Sequence, residues 1–238
     1  MFHPQGPSLG ELARQALSST ERGYDLLAPK FDYTPFRTPT AIFDTIAPLL
    51  GGPRSLEAAV DLCCGTGAAM TMLEPLCRRR LCGVDLSRGM LDIARHAITS
   101  DHEGLEVEFV QQDVLHLPFH AEFDLAVCFS AFGHILPHQE GPFIAQISRV
   151  LRPGGRFIFV TSPSPPCFSL RSLTARSFNG IMRLRNLLIS PPFIMYYLTF
   201  TLAAAIKQLH QAGFSVEVSP VPFPSPFSAL RLVVATNP

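Results

Sequence analysis

The chain has 238 residues, 47% hydrophobic and 16% charged, and its 19 basic side chains are matched by 19 acidic ones. Such a length suits one α/β domain with elaborations, and a mean hydropathy of +0.24 supplies a sizeable core. A net charge of zero excludes a bulk field that would draw the chain to nucleic acid or anionic lipid.

In chain order, Ser8 and Glu11 form a capping box ahead of an apolar periodic stretch, which predicts a helix running to about Leu27. Thr38 and Pro39 supply an N-cap and a first-turn proline for a second helix over 40–50, ended by Gly51-Gly52. Apolar strands then alternate with helices. Strands are predicted at 57–62, 81–86, 106–111, 123–130 and up to 160, with helices over 68–77, from Ser87 to about Thr99, and over 142–151. This rhythm predicts a mostly parallel sheet covered on both faces. After Thr161 it breaks into a proline-rich, strongly apolar segment over 163–206, with a helix over about 199–212. A strand at 214–218, a loop with proline at 220, 222, 224 and 226, and a last strand at 229–235 close the chain. No repeat or flexible linker interrupts it, so 1–238 reads as one domain with an N-terminal helical segment (1–50) and a hydrophobic cap (163–206).

The six cysteines (63, 64, 77, 82, 128, 167) form no Cys-x-x-Cys pair, and the start MFHPQGPSLGELARQ lacks the pattern of a signal peptide. Reduced thiols in a cytoplasmic protein are expected. Cys63 and Cys64, adjacent in extended chain, point apart and make a poor chelate and a poor disulfide.

The turn "CCGTG" follows the first strand, at the carboxyl end of the sheet where ligands of open parallel sheets bind. Gly65 and Gly67 let the backbone turn tightly and a ligand approach it. Asp61, Asp85 and Asp113 stand at the ends of three consecutive predicted strands. An acid in the position of Asp85 can accept from both hydroxyls of a ribose, and Asp113 can meet an adenine edge.

In "VDLCCGTG", "GVDLSRGML", "QQDVLHLPF", "FDLAVCFSAFGHI" and "RVLRPGGRFIFV" the chain resembles the class I S-adenosylmethionine-dependent methyltransferases, in particular their small-molecule type 11/25 branch. The resemblance spans residues 57–161 and extends to the last two strands. It implies a Rossmann-like, seven-stranded sheet with an antiparallel last strand, S-adenosyl-L-methionine as cofactor, and a small-molecule acceptor. It puts Asp61, Gly65 and Gly67 around the methionine portion, Asp85 and Leu86 at the ribose and adenine, and Asp113 and Val114 at the adenine. Phe129 or Ser130 falls beside the sulfonium, and Tyr24 lies in "YDLLAPKFDYTPFRTP", which looks like the segment folding over the cofactor. Cys63 stands where the family usually has glycine, with an expected slight loss of room.

Methyl transfer is an in-line displacement that needs a base only when the nucleophile arrives protonated. His134, just past the fourth strand, is the candidate base; His138 could share a helical face with it, but without a third ligand no metal is expected. "RRR" (78–80) reads as a solvated helix end, and "ISPPF" (189–193) falls after the wrong strand for an amino-group methyltransferase motif. The uncharged run 187–206 is long enough for a bilayer, yet Pro191-Pro192 breaks it; a cap with a face able to touch a membrane is the expectation. Phe31, Phe36, Phe193 and Tyr197 are candidate acceptor contacts, because this stretch has hardly a polar anchor and suits a hydrophobic acceptor methylated on oxygen or carbon. A monomer or weak dimer without nucleic acid is expected. A non-catalytic S-adenosylmethionine-binding or scaffold protein and a nicotinamide oxidoreductase remain alternatives, the latter disfavoured because the turn lacks the third glycine of the dinucleotide fingerprint.

Overall fold

The computed structural model describes residues 3–98, 103–219 and 221–238. Its strands are β1 (Leu56–Leu62), β2 (Cys77–Asp85), β3 (Glu106–Gln111), β4 (Phe123–Cys128), β5 (Leu151–Thr161), β6 (Ser215–Ser219) and β7 (Arg231–Thr236). Its helices are α1 (Leu9–Ala16), α2 (Thr20–Leu27), α3 (Thr40–Leu50), α4 (Ala68–Leu73), α5 (Arg88–Ala97), α6 (Glu140–Val150), α7 (Leu170–Leu188) and α8 (Leu202–Gln211). The strands make one sheet in the order β3-β2-β1-β4-β5-β7-β6. Pairings from β3 to β5 are parallel, and β7 runs antiparallel to both neighbours. Strand order reverses between β1 and β4, which opens a crevice at their carboxyl ends.

Alternation along the strands feeds two cores. Ala59, Leu81, Leu125, Val127 and Ile158 pack with Ile46, Met70 and Leu91 of α3, α4 and α5. Val60, Ala126, Phe157 and Phe159 face the other way, toward Phe143 of α6 and Leu209 of α8. Both faces are therefore covered, as near-continuous apolar strands require.

Several boundaries differ from the expectation. The first helix is two: the Ser8–Glu11 box forms at 3.2 and 2.7 Å, but the chain breaks near Ser18, whose hydroxyl turns back to the Arg14 carbonyl at 2.8 Å. Ser19 then caps α2 by accepting from the Arg22 N–H. Pro39 itself is the N-cap of α3, which frees Thr38 to hydrogen-bond Ser130 at 2.8 Å. Pro75 lies in a short 3-10 turn that ends α4 early, and β2 starts at Cys77. Arg78–Arg80 thus lie on a strand and not at a helix end, with Arg80 paired to Glu108 and Glu122. β4 stops at Cys128, because Ser130 takes a left-handed conformation (φ 59°). Phe200 at φ 47° precedes α8 and moves its start to Leu202. His134 and His138 occupy separate 3-10 turns and share no helical face. Thr99, the expected end of α5, and Pro220 lie outside the described residues.

Candidate active site

A cavity of about 630 Å³ opens at the carboxyl ends of β1, β2, β3 and β4. Asp61, Cys63, Gly65, Asp85, Leu86, Asp113, Val114, Phe129 and Ser130, all singled out in the sequence, line it. So do Tyr24, Phe31, Phe36, His134 and Tyr197. Residues from six separate stretches of chain converge there because each follows a strand end or folds back over one.

Two of the expected residues sit elsewhere. Gly67 does not line the cavity. It is the N-cap of α4 at φ 87°, and a Cβ there would come within 3.2 Å of the Ala94 side chain on α5, so glycine here serves turn geometry and helix packing. Phe193 is 2% exposed and stacks behind Tyr24 with ring centroids 6.2 Å apart; it supports the wall without forming it.

Asp61 is buried, and among the described residues its Oδ2 has no hydrogen-bond partner. Burial, then the charge of Asp85, pushes its carboxyl well above the usual range. An unpartnered buried acid on a cavity wall suits a cationic ligand group such as an ammonium. Asp85 accepts from the Gly65 N–H and the Ser87 N–H, both at 2.8 Å, and burial pushes its pKa up to about 6. Each carboxylate oxygen keeps a second lone pair, so it can also accept from a vicinal diol. Asp113 is half-exposed at the rim, with its Oδ1 accepting from the Leu115 N–H.

Cys63 adopts φ 57°, the left-handed region that glycine enters freely. The substitution for glycine therefore costs backbone strain of order 1 kcal/mol, more than the slight loss of room expected from its size. The neighbouring Cys128, followed by burial, pushes its thiol well above the ordinary range.

Across the cavity, Nδ1 of His134 lies 2.5 Å from the Ile194 carbonyl and Nε2 lies 2.8 Å from the Tyr24 hydroxyl. A carbonyl can only accept, so Nδ1 carries the proton. In the neutral ring Nε2 then accepts from Tyr24. Burial holds His134 below its ordinary value and pushes the Tyr24 phenol well above its own. At neutral pH the pair is a free imidazole base hydrogen-bonded to a phenol. Tyr24, expected only as a cofactor contact, is thereby tied to the candidate base.

Residues 194–199 form the remaining wall. This loop is anchored where the Tyr196 N–H donates to the Gly133 carbonyl at 2.8 Å; a Cβ on residue 133 would lie 2.7 Å from the Tyr196 oxygen, so only glycine admits this approach. Two acids absent from the sequence expectations tether the N-terminal segment over the site. Asp25 accepts from the Ser87 hydroxyl (2.6 Å) and the Gly89 N–H (2.9 Å) at the start of α5, and Asp32 accepts from Thr66 in the glycine turn (2.7 Å). Their only sequence signal was position within "YDLLAPKFDY".

A family model described as a methyltransferase domain matches residues 59–155. A demethylmenaquinone methyltransferase of Thermus thermophilus is 32% identical over 166 residues, covering 66% of this chain and 74% of that protein. An O-methyltransferase of Penicillium expansum is 27% identical over 173 residues, covering 69% of this chain and 62% of its own. Among solved structures, the magnesium protoporphyrin IX methyltransferase of Synechocystis with bound SAH shares the fold with a TM-score of 0.58 at 18% identity, covering 83% of this chain and 82% of that one. Fold, crevice and likeness agree: the chain belongs to the class I S-adenosylmethionine-dependent methyltransferases and is an enzyme that uses S-adenosylmethionine as its cofactor.

Proposed function

We propose that the enzyme methylates oxygen or carbon on a hydrophobic acceptor of aromatic, quinone-like or lipid-derived kind. The observation that carries this reading is the apolar wall Ile194–Leu198 beside the hydrogen-bonded Tyr24–His134 pair. Phe31, Phe36 and Tyr197 add aromatic surface to that side of the cavity. Such a lining stabilises an apolar body through loss of water contact and orients one polar group against the pair. The relative named for demethylmenaquinone supports the same class of acceptor.

Bound S-adenosylmethionine supplies an electrophilic methyl group on a sulfonium. Asp61 would hold its ammonium, Asp85 its ribose hydroxyls, and Leu86, Asp113 and Val114 the edge of its base. Gly65 would leave room for its approach to the backbone, and Phe129 and Ser130 would flank the reacting end. On the acceptor side, the Tyr24 oxygen takes the proton of an acceptor hydroxyl as its own proton passes to Nε2 of His134. The imidazolium so formed is held by its Nδ1–H bond to the Ile194 carbonyl. Removing that proton raises electron density on the acceptor oxygen, or on ring carbons conjugated with it. The walls exclude water and fix the line of approach, which can contribute on the order of 7–11 kcal/mol.

The test is transfer of labelled methyl from S-adenosylmethionine to a panel of hydroxylated aromatics with and without apolar substituents. Turnover rising with the apolar substituent supports the reading; efficient turnover of small hydrophilic acceptors alone refutes it.

A further inference from the structure

Helix α7 has two unlike faces. Toward the protein, Ser172 and Met182 are buried, and Asn179 both donates to and accepts from the backbone of Tyr197 at 2.8 Å. Asn186 does the same for Phe193, at 3.0 and 2.9 Å, and Arg185 donates to the carbonyls of Ala16 and Ser18. Toward solvent stand Leu170, Leu173, Ile181, Leu184, Leu187 and Leu188, between 49% and 81% exposed. At the helical repeat these six fall in an arc of about 120°, opposite the buried residues. Phe168, 92% exposed, extends the stripe past the N-terminus of the helix.

The charge on this helix is one-sided. Residues 162–206 carry Arg171, Arg176, Arg183 and Arg185 and no acid, in a chain whose net charge is zero. Arg171, Arg176 and Arg183 are exposed and enter no ion pair among the described residues. Arg176 and Arg183 flank one edge of the apolar arc. A two-fold dimer through this stripe would bring unpaired arginines of both copies together, since the segment offers them no acid. An anionic lipid surface satisfies both features at once: acyl chains take the aliphatic stripe, and phosphates take the arginines. No helix among the described residues is long and apolar enough to cross a membrane, so the geometry is one of lying on the surface.

We propose that α7 docks the enzyme on the surface of an anionic bilayer. Its inner face holds the loop 193–197 through Asn179 and Asn186, so the docked helix sets the cavity wall next to the lipid. The proposal goes beyond the acceptor reading, because vesicles alone test it.

The experiment is co-sedimentation of the full chain, without acceptor, with phosphatidylcholine vesicles and with vesicles containing about one-third phosphatidylglycerol. Partitioning onto the anionic vesicles only is expected. The double substitution Leu184→Asp with Leu187→Asp should lower it roughly tenfold or more. Arg176→Glu with Arg183→Glu should lower it by about tenfold and weaken its salt dependence. Both variants should keep the thermal shift given by S-adenosylmethionine, which reports an intact fold. No binding to either vesicle, binding unaffected by the leucine substitutions, or a solution dimer that Leu184→Asp abolishes would overturn the proposal.

Discussion

The wall built by the ends of β1, β2 and β3 and the wall built by residues 194–199 meet in one cavity but are held in different ways. The first is set by sheet register: β1 and β2 run in parallel from Leu56 opposite Cys77 to Leu62 opposite Val84, so Asp61 and Asp85 arrive at fixed places with backbone N–H groups on Asp85. The second is a loop without strand pairing, tied by single hydrogen bonds to Thr20, Gly133 and His134 and to two asparagines of α7. A wall fixed by the sheet suits a ligand that never changes, whereas a wall carried on a surface segment can take a different acceptor without disturbing the core.

The largest effect expected from breaking this division lies where the walls meet. His134→Ala should lower turnover by about 10²–10⁴-fold while leaving the affinity for S-adenosylmethionine nearly intact. Tyr24→Phe should fall between that variant and the parent, since Nε2 survives without its relay. Because burial lowers the His134 pKa, the base is already free at neutral pH. The rate should therefore be flat above pH 7 and fall on acidification, as a pH–rate profile would record.

On the sheet-built wall, Asp85→Ala should weaken cofactor binding by about 1.5–3 kcal/mol, the loss expected for charge-assisted hydrogen bonds, and Asp85→Asn by less. Calorimetry checks both. A smaller effect follows from pH alone. The folded carboxyl of Asp85 titrates near pH 6, above its unfolded value, so the free protein binds extra protons between about pH 4 and 6 and loses stability as pH rises through that window. A ligand that hydrogen-bonds or pairs with ionised Asp85 and Asp61 works in the opposite direction. Its affinity should rise as pH rises through 6, with proton release on binding that differs between buffers of different ionisation enthalpy.

The sheet-built wall was legible in the sequence because its signals are local. An apolar run ending in an acid, followed by Gly-x-Gly, specifies strand, turn and a carboxylate at the strand's end within ten residues. The acceptor wall was legible only as composition. Which aromatics face the cavity depends on contacts between residues far apart: Phe193 packs behind Tyr24, and Tyr24 reaches His134 across 110 positions. At Gly67 the sequence is ambiguous, because glycine serves close approach to a helix and to a ligand alike and spacing alone does not separate them. Cys63 showed its size in sequence but not its left-handed backbone, which only the fold dictates.

Two ligands are held by two separable walls, and Tyr197→Ala tests this most directly. Tyr197 is 45% exposed at the edge of the cavity, so its loss leaves the core untouched. In steady-state kinetics with an apolar acceptor, the acceptor KM should rise several-fold while the KM for S-adenosylmethionine stays constant, about what removal of partly buried aromatic area predicts. Equal rises in both constants, or a rise confined to the cofactor, would contradict it.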